Sequence, residues 1–304
     1  MASKPKTNKT HERRPPWLKI SLQTNEDYRR VDKLLSKLSL HTVCQEARCP
    51  NMYECWCQGT ATFMILGEVC TRHCGFCSVT NGRPAAIDPS EPENVAEAVQ
   101  ALSLDYAVIT SVTRDDLADE GAEHFAQVIR AIKQKSPQCK VEVLIPDFNG
   151  TLDLLEIVLE ARPEVLGHNM ETVKDLYHKV RPQAVYDRSL AVLEHSVRYR
   201  NEHCAAVSVK SGIMVGLGET FDQVLATFRD IAGTGCDIMT VGQYLSPVKK
   251  SLAVQRFYTP AEFIRLRDEG ARCGFKHVES GPLVRSSYHA KSQEQKLSLG
   301  HHTS

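Results

Sequence analysis

From about residue 61 onward the chain alternates short β-like runs with amphipathic helices, which predicts an α/β fold: a partial (β/α)6 TIM-type barrel with N- and C-terminal extensions. Three observations carry this. Six β–α units in series call for a parallel sheet with right-handed crossovers. No Gly-rich dinucleotide fingerprint follows the first strand, as a doubly wound sheet would require. Instead, the polar residues Ser111, Asp115, Asn169, Glu171, Glu219 and Gln243 fall just after candidate strands, where barrels build their active sites.

The candidate strands, in order, are Phe63–Gly67, Tyr106–Thr110, Val141–Ile145, Val165–His168, Val207–Met214 and Ile238–Tyr244. Each is short and rich in Val, Ile, Leu or Tyr. Between them the helical period predicts Glu93–Leu102, Ala122–Lys135, Leu152–Ala161, Glu171–Val180, Arg188–Asn201 and Thr220–Ala232. In Ala122–Lys135, residues Phe125, Val128, Ile129 and Ile132 recur at spacings of three and four and make one apolar face. Residues 1–60 and 276–304 do not continue the rhythm. They are read as extensions laid against a barrel of residues 61–275.

With 304 residues, 42% of them hydrophobic, the chain can bury one large core. Lysine plus arginine number 37 and aspartate plus glutamate also 37, giving a formal net charge of zero. This argues against a nucleic-acid partner held by a basic field. No apolar run reaches the length of a membrane span. Met1–Arg14 is polar and basic, without the apolar stretch of a secretory signal, so a disordered tail and a cytoplasmic location are expected. Eleven cysteines in a long, unsignalled chain point to metal rather than disulfides. Cys139, Cys204, Cys236 and Cys273 stand singly among apolar residues and read as small buried hydrophobes.

The other cysteines cluster. The first strand runs into Cys70-Thr71-Arg72-His73-Cys74-Gly75-Phe76-Cys77, a Cys-x3-Cys-x2-Cys spacing. Three thiolates hold three corners of a four-iron cubane and leave one iron open for chemistry, whereas full ligation takes four cysteines. The alternative, structural zinc, asks for four closed ligands. His73 lies awkwardly between two cysteines for that role. Upstream, Cys44, Cys49 and Cys55 are spaced Cys-x4-Cys-x5-Cys, with Cys57 beside them. A zinc knuckle or a buried cysteine cluster are the other readings of this triad. A distant residue must close it, or it too stays open.

The Cys-x3-Cys-x2-Cys motif resembles the cluster motif of radical S-adenosylmethionine enzymes. From Pro16-Trp17-Leu18 to Arg285-Ser286-Ser287-Tyr288-His289-Ala290 the chain is similar to the lipoyl synthase family. The likeness is carried by residues 42–51 (TVCQEARCPN), 59–67 (GTATFMILG), 167–172 (GHNMET) and 242–245 (GQYL). The resemblance implies two 4Fe-4S clusters and S-adenosyl-L-methionine. It implies that the cofactor is cleaved at the cluster on Cys70, Cys74 and Cys77 to give a 5′-deoxyadenosyl radical. That radical takes hydrogen from an octanoyl chain on a carrier lysine, and two sulfurs enter at C6 and C8. The sulfurs come from the auxiliary cluster on Cys44, Cys49, Cys55 and Ser287. Serine oxygen, a harder ligand than thiolate, suits a cluster that is to be dismantled.

The resemblance further implies cofactor contacts at Phe76, Asn169, Glu171, Arg181, Gly216 and Glu219. Helix capping is the plain alternative for Asn169, Glu171 and Arg181, and a strand-to-helix turn for residues 212–219. The implied partners are octanoylated lipoyl carrier domains (2-oxoacid dehydrogenase E2 subunits and the glycine cleavage H protein), an electron donor such as flavodoxin or ferredoxin, and an iron–sulfur carrier that rebuilds the consumed cluster. No nucleic acid and no membrane are expected. The chain departs from the family pattern at Thr113, Ala118, Glu120 and Ser251, none of them a cluster ligand. Two rivals remain: a methylthiotransferase, and a non-catalytic electron carrier. The second would need closed, fully ligated clusters.

Overall fold

The β-branched runs and the helical periods sort into α1 (Glu26–Lys37), β1 (His41–Thr42), α2 (Val43–Glu46), α3 (Met52–Cys57), β2 (Thr62–Ile65), β3 (Val69–Cys70), β4 (Thr80–Asn81), α4 (Glu91–Ala101), β5 (Tyr106–Ser111), α5 (Ala122–Lys135), β6 (Lys140–Leu144), α6 (Leu152–Glu160), β7 (Val165–Gly167), α7 (Tyr177–Val180), α8 (Tyr186–Glu202), β8 (Ser208–Val215), α9 (Phe221–Gly233), β9 (Ile238–Gln243), α10 (Pro260–Arg272) and β10 (His277–Gly281). This is a computed structural model, and it describes residues 14–20, 24–57, 62–203 and 205–294. Residues 59–61 of one motif, Cys204 and most of the N-terminal tail lie outside the described residues.

The main sheet runs β1-β2-β5-β6-β7-β8-β9-β10. From β2 to β10 every pairing is parallel, while β1 joins the edge antiparallel. All six expected strands are present. The β–α rhythm continues past residue 275, however, because α10 leads into the further parallel strand β10. Only Val278 of this strand is buried, so its sequence lacks the apolar signature of its neighbours. The helix expected over Glu171–Val180 also differs. Glu171 has φ +66° and bridges to Ile213 of β8, and only the last turn is α-helical. The Glu171 N–H and C=O are taken by Gly212 O and Met214 N, at 3.0 and 2.9 Å, so no helix can start there.

Alternation along the strands places the core and the cavity. Ile109, Val143, Met239 and Val241 are fully buried under the helices. Their neighbours Val108, Thr110, Glu142, Leu144, Thr240 and Gly242 line a single cavity together with Gly212 and Met214. One face of successive strands therefore wraps one space, as in a barrel. On α5, Phe125, Val128, Ile129 and Ile132 are all 0% exposed, and truncating such a ring costs about 3–5 kcal/mol. Cys139 and Cys236 are buried as expected, but Cys273 is only half-buried at the end of α10. Among the described residues, no helix is long and apolar enough to cross a membrane.

Candidate active site

The first triad sits where β2 gives way to the small β3–β4 ladder, in which Cys70 pairs with Asn81. Its loop is pinned from several sides. Gly75 N–H donates to Val180 O and Gly75 O accepts from Leu252 N–H, both at 2.9 Å. A Cβ at Gly75 would meet Leu252 at 3.0 Å and Lys179 O at 3.1 Å, so the position needs glycine for close approach. The Thr113 N–H donates to Cys70 Sγ (3.3 Å) and the Val79 N–H to Cys77 Sγ (3.4 Å). Thr113, one of the departures, thus acts through its backbone. Arg72 is buried beneath the loop. It bonds both Asp115 oxygens, Asp147 Oδ1 (2.7 Å) and Asn149 Oδ1 (3.0 Å).

The second triad is built by the N-terminal segment. Thr42 caps α2 by accepting from Gln45 N–H. Cys44 lies in that first turn, Cys49 N–H returns to Cys44 O (3.0 Å), and Cys55 N–H reaches Asn51 O (2.9 Å) inside α3. Trp56, fully buried against Tyr28, fixes α3 on the body of the molecule. The C-terminal segment crosses here: Asn51 Nδ2 donates to Leu283 O (2.7 Å) and Tyr288 OH to Glu54 Oε1 (3.1 Å). Chain ends 232 residues apart meet at one mouth.

One cavity of about 640 Å³ is lined by Cys44, Cys49 and Ser287 and by Phe76 and Cys77, while Cys55, Cys70 and Cys74 are not among its lining residues. Cys55 lies close enough to Cys44 and Cys49, and Cys74 to Cys70 and Cys77, to feel their charge. Burial, then the neighbouring thiols, pushes Cys44 up to about 11 and Cys55 to about 12. Burial does the same to Cys74, up to about 12, against the pull of Arg181. Every described cysteine is a free thiol. Such crowded, desolvated thiols become thiolates only with a bound cation, and three from each segment match the donor set of an iron–sulfur cluster.

The expected cofactor residues divide. Phe76, Asn169 and Glu171 line the cavity. Asn169 Nδ2 donates to Glu171 Oε1 (3.0 Å) and Ser286 Oγ (2.6 Å), while its buried Oδ1 has no partner, as fits a hydroxyl-bearing ligand. Burial raises Glu171, partly offset by Arg181, Asn169 and Arg285. Arg181, Gly216 and Glu219 do not line the cavity. Arg181 bonds Asn169 O (2.8 Å) and Tyr177 OH (2.9 Å). Glu219 accepts from the N–H groups of Gly216 (2.6 Å) and Leu217 (2.9 Å), and a Cβ on Gly216 would strike Gln243 and Arg256. The tight approach is backbone on protein there. Sequence reasoning gave Arg285 no role, yet it lines the cavity, half-buried and close enough to Cys49 and Glu171 to feel their charge. Its place directly before the serine pair was the available signal.

A parallel sheet wrapped around a cavity, with three cysteines on the loop after its first parallel strand, defines a radical S-adenosylmethionine enzyme. Residues 64–231 match the family model described as the Radical SAM superfamily, which implies a 4Fe-4S cluster and S-adenosylmethionine. Residues 2–49 match the N-terminal domain of lipoyl synthase of the Radical SAM family. The lipoyl synthase of Symbiobacterium thermophilum is 54% identical over 281 residues, 92% of this chain and 87% of that one. That of Chlorobaculum tepidum is 52% identical over 283 residues, covering 93% and 96%. The chain belongs to the lipoyl synthase family and is a radical SAM sulfur-inserting enzyme. SuiB of Streptococcus suis, in a crystal structure bound to S-adenosylmethionine, shares the fold at TM-score 0.51 and 14% identity, over 72% of this chain and 50% of that one.

Proposed function

We propose that the chain inserts two sulfur atoms, at C6 and C8, into an octanoyl chain on the lysine of a lipoyl carrier domain. The observation that supports this most is that both cysteine segments contribute to the lining of one cavity whose walls are otherwise largely apolar, including Val43, Met52, Val108, Leu144, Ile213 and Leu245. An eight-carbon chain entering that space meets both. When bound, the cluster on Cys70, Cys74 and Cys77 supplies the electron that cleaves S-adenosylmethionine, and an auxiliary 4Fe-4S cluster on Cys44, Cys49, Cys55 and Ser287 supplies the sulfur.

The chain's own residues do the rest. Phe76 and Asn169 hold the cofactor, Asn169 through its free Oδ1. Glu171 sits beside them, and Arg181 orients Asn169 through its carbonyl. Gly216 and Glu219 shape the turn behind β8. Arg285 offsets negative charge between the two sites. The N-terminal extension carries the auxiliary cysteines, the barrel runs on past residue 275 through β10, and the segment after β10 brings Ser287. The partners are E2 subunits or the glycine cleavage H protein, an electron donor such as flavodoxin or ferredoxin, and an iron–sulfur carrier, all in the cytoplasm.

The test is an anaerobic assay of reconstituted protein with dithionite, S-adenosylmethionine and an octanoyl-lysyl peptide, read by mass spectrometry. The wild type gains two sulfurs. Changing Cys70, Cys74 and Cys77 to alanine abolishes cofactor cleavage. Changing Cys44, Cys49 and Cys55 to alanine leaves cleavage and stops sulfur insertion. Sulfur insertion surviving in that last variant would sink the sacrificial cluster.

A further inference from the structure

The chain carries no net charge, yet the mouth of its cavity is not neutral. The carboxylates lining the cavity are Glu142 and Glu171. Glu142 is buried and satisfied by Lys210 Nζ (2.7 Å) and Tyr106 OH (2.6 Å). Glu171 lies beside Asn169. Both lie inside. The basic lining residues other than the half-buried Arg285 are Arg14 and Arg48, both exposed. Ser246 and Pro247 also line the cavity and lead into a turn closed by Ser251 N–H to Val248 O (3.0 Å), which carries the exposed pair Lys249 and Lys250.

Elsewhere most strongly placed cations have carboxylate partners, such as Lys133 with Glu164 and Arg256 with Glu262. Among the described residues, none of Arg14, Arg48, Lys249 and Lys250 has one. Two unpaired cations on the cavity lining and two more in the turn that follows the lining residues Ser246 and Pro247, in a protein of zero net charge, form a local positive field that attracts and orients an anionic partner. The apolar walls below take the acyl chain but leave the surface of a folded carrier to meet this rim.

We propose that the basic rim of Arg14, Arg48, Lys249 and Lys250 is the docking surface for a folded carrier domain whose own face around the octanoyl-lysine is acidic. This rests on the sulfur-insertion reading above. The field acts on encounter with the domain and not on the acyl chain. It therefore affects KM for the carrier and leaves turnover of a short neutral octanoyl-lysyl peptide alone.

The experiment uses the reconstituted full-length enzyme with two substrates: an octanoylated lipoyl domain and an uncharged octanoyl-lysyl tripeptide. In K249E/K250E, and separately in R14E, kcat/KM for the domain is expected to fall about tenfold through KM. The value for the tripeptide stays within about twofold, since rim charges act on encounter. Wild-type activity on the domain falls as salt is raised, and K249E/K250E is less salt-sensitive. Unchanged kcat/KM on the domain in both variants would overturn the proposal. So would equal losses on both substrates, repeated in K249Q/K250Q, because that places these side chains in the reaction and not at its rim. Failure of the functional reading shows separately, as a wild type that sulfurates neither substrate.

Discussion

At the scale of the residue, the structure assigns hydrogens that composition leaves open. His168 ends β7 fully buried, with Nδ1 3.0 Å from Ile145 O and Nε2 3.0 Å from Ser189 Oγ. A carbonyl only accepts, so Nδ1 carries the hydrogen and Nε2 accepts from the serine hydroxyl. Ser189 Oγ in turn accepts from Arg181 (3.3 Å). The ring is neutral in the fold: burial, then the Arg181 charge, pushes it down to about 4. In the unfolded chain an unperturbed histidine binds its proton near 6.5. Between these values the unfolded state holds the extra proton, so stability rises with pH from about 4 to 6.5 and is flat above. At about 1.4 kcal/mol per pH unit, this is on the order of 3 kcal/mol across the window. The thermal midpoint of the wild type is expected to drop from pH 7 to pH 5 more than that of His168→Gln. Equal drops in the two proteins would show that the ring charges in the native state.

At the scale of the element, the loop from Cys70 to Cys77 packs Phe76 against Val180, Leu217 and Tyr244, and is held from beneath by Arg72. That guanidinium, nearly fully buried, pairs with Asp115 and with the completely buried Asp147, which Arg188 also approaches at 3.2 Å. Burial pushes Asp147 up, but the charges of Arg72 and Arg188 hold it below the usual carboxylate range. Removing the arginine leaves a buried carboxylate short of a partner, which costs about 3–5 kcal/mol. Arg72→Leu is expected to destabilise the protein by that order in a denaturant midpoint, and to lose iron from this site while Cys44, Cys49 and Cys55 keep theirs. Full iron content in the variant would show that the loop stands without it. The cysteine spacing was legible in the sequence because ligand geometry is local. Of the supports, Asp115 was legible only as a polar residue after a strand, and Asp147 and Asn149 not at all, because these supports come from two later βα loops and no periodicity links them to Arg72. The six buried strands were legible for the same local reason. β10 was not, since an edge strand with one buried side chain has little apolar signal.

At the scale of the whole molecule, Ser287 becomes a candidate ligand only because the C-terminal segment folds back across the barrel. The anchors run the length of that segment: Asn51 to Leu283, Asn169 to Ser286, Tyr288 to Glu54, Lys291 to Asp105, and Glu294 to Lys140 at 2.7 Å. Ala290 packs against Tyr106 and Val108 of β5, and Val108 lines the cavity. The segment thus spans from Asn51 and Glu54, chain neighbours of Cys49 and Cys55, to the start of β5. Sequence spacing held no trace of this, since the contacts join residues more than 100 positions apart. The two serines differ in what holds them. Both line the cavity with Cys44 and Cys49, but Ser286 Oγ is engaged by Asn169 (2.6 Å). Ser287→Ala is therefore expected to keep cofactor cleavage and most of its iron but to lose sulfur insertion. Ser287→Cys keeps a cluster and inserts sulfur poorly, because thiolate holds iron more tightly than a serine oxygen. Ser286→Ala has the milder effect. Truncation after Ser287 keeps the ligand but removes Tyr288, Lys291 and Glu294, and is expected to reproduce the Ser287→Ala phenotype because the serine is no longer held in place. Iron analysis, methionine release and mass spectrometry of the peptide read these outcomes separately. If Ser287→Ala inserts sulfur normally while Ser286→Ala does not, the ligand is the other serine. If the truncated protein works normally, the anchors beyond Ser287 have no part in placing it.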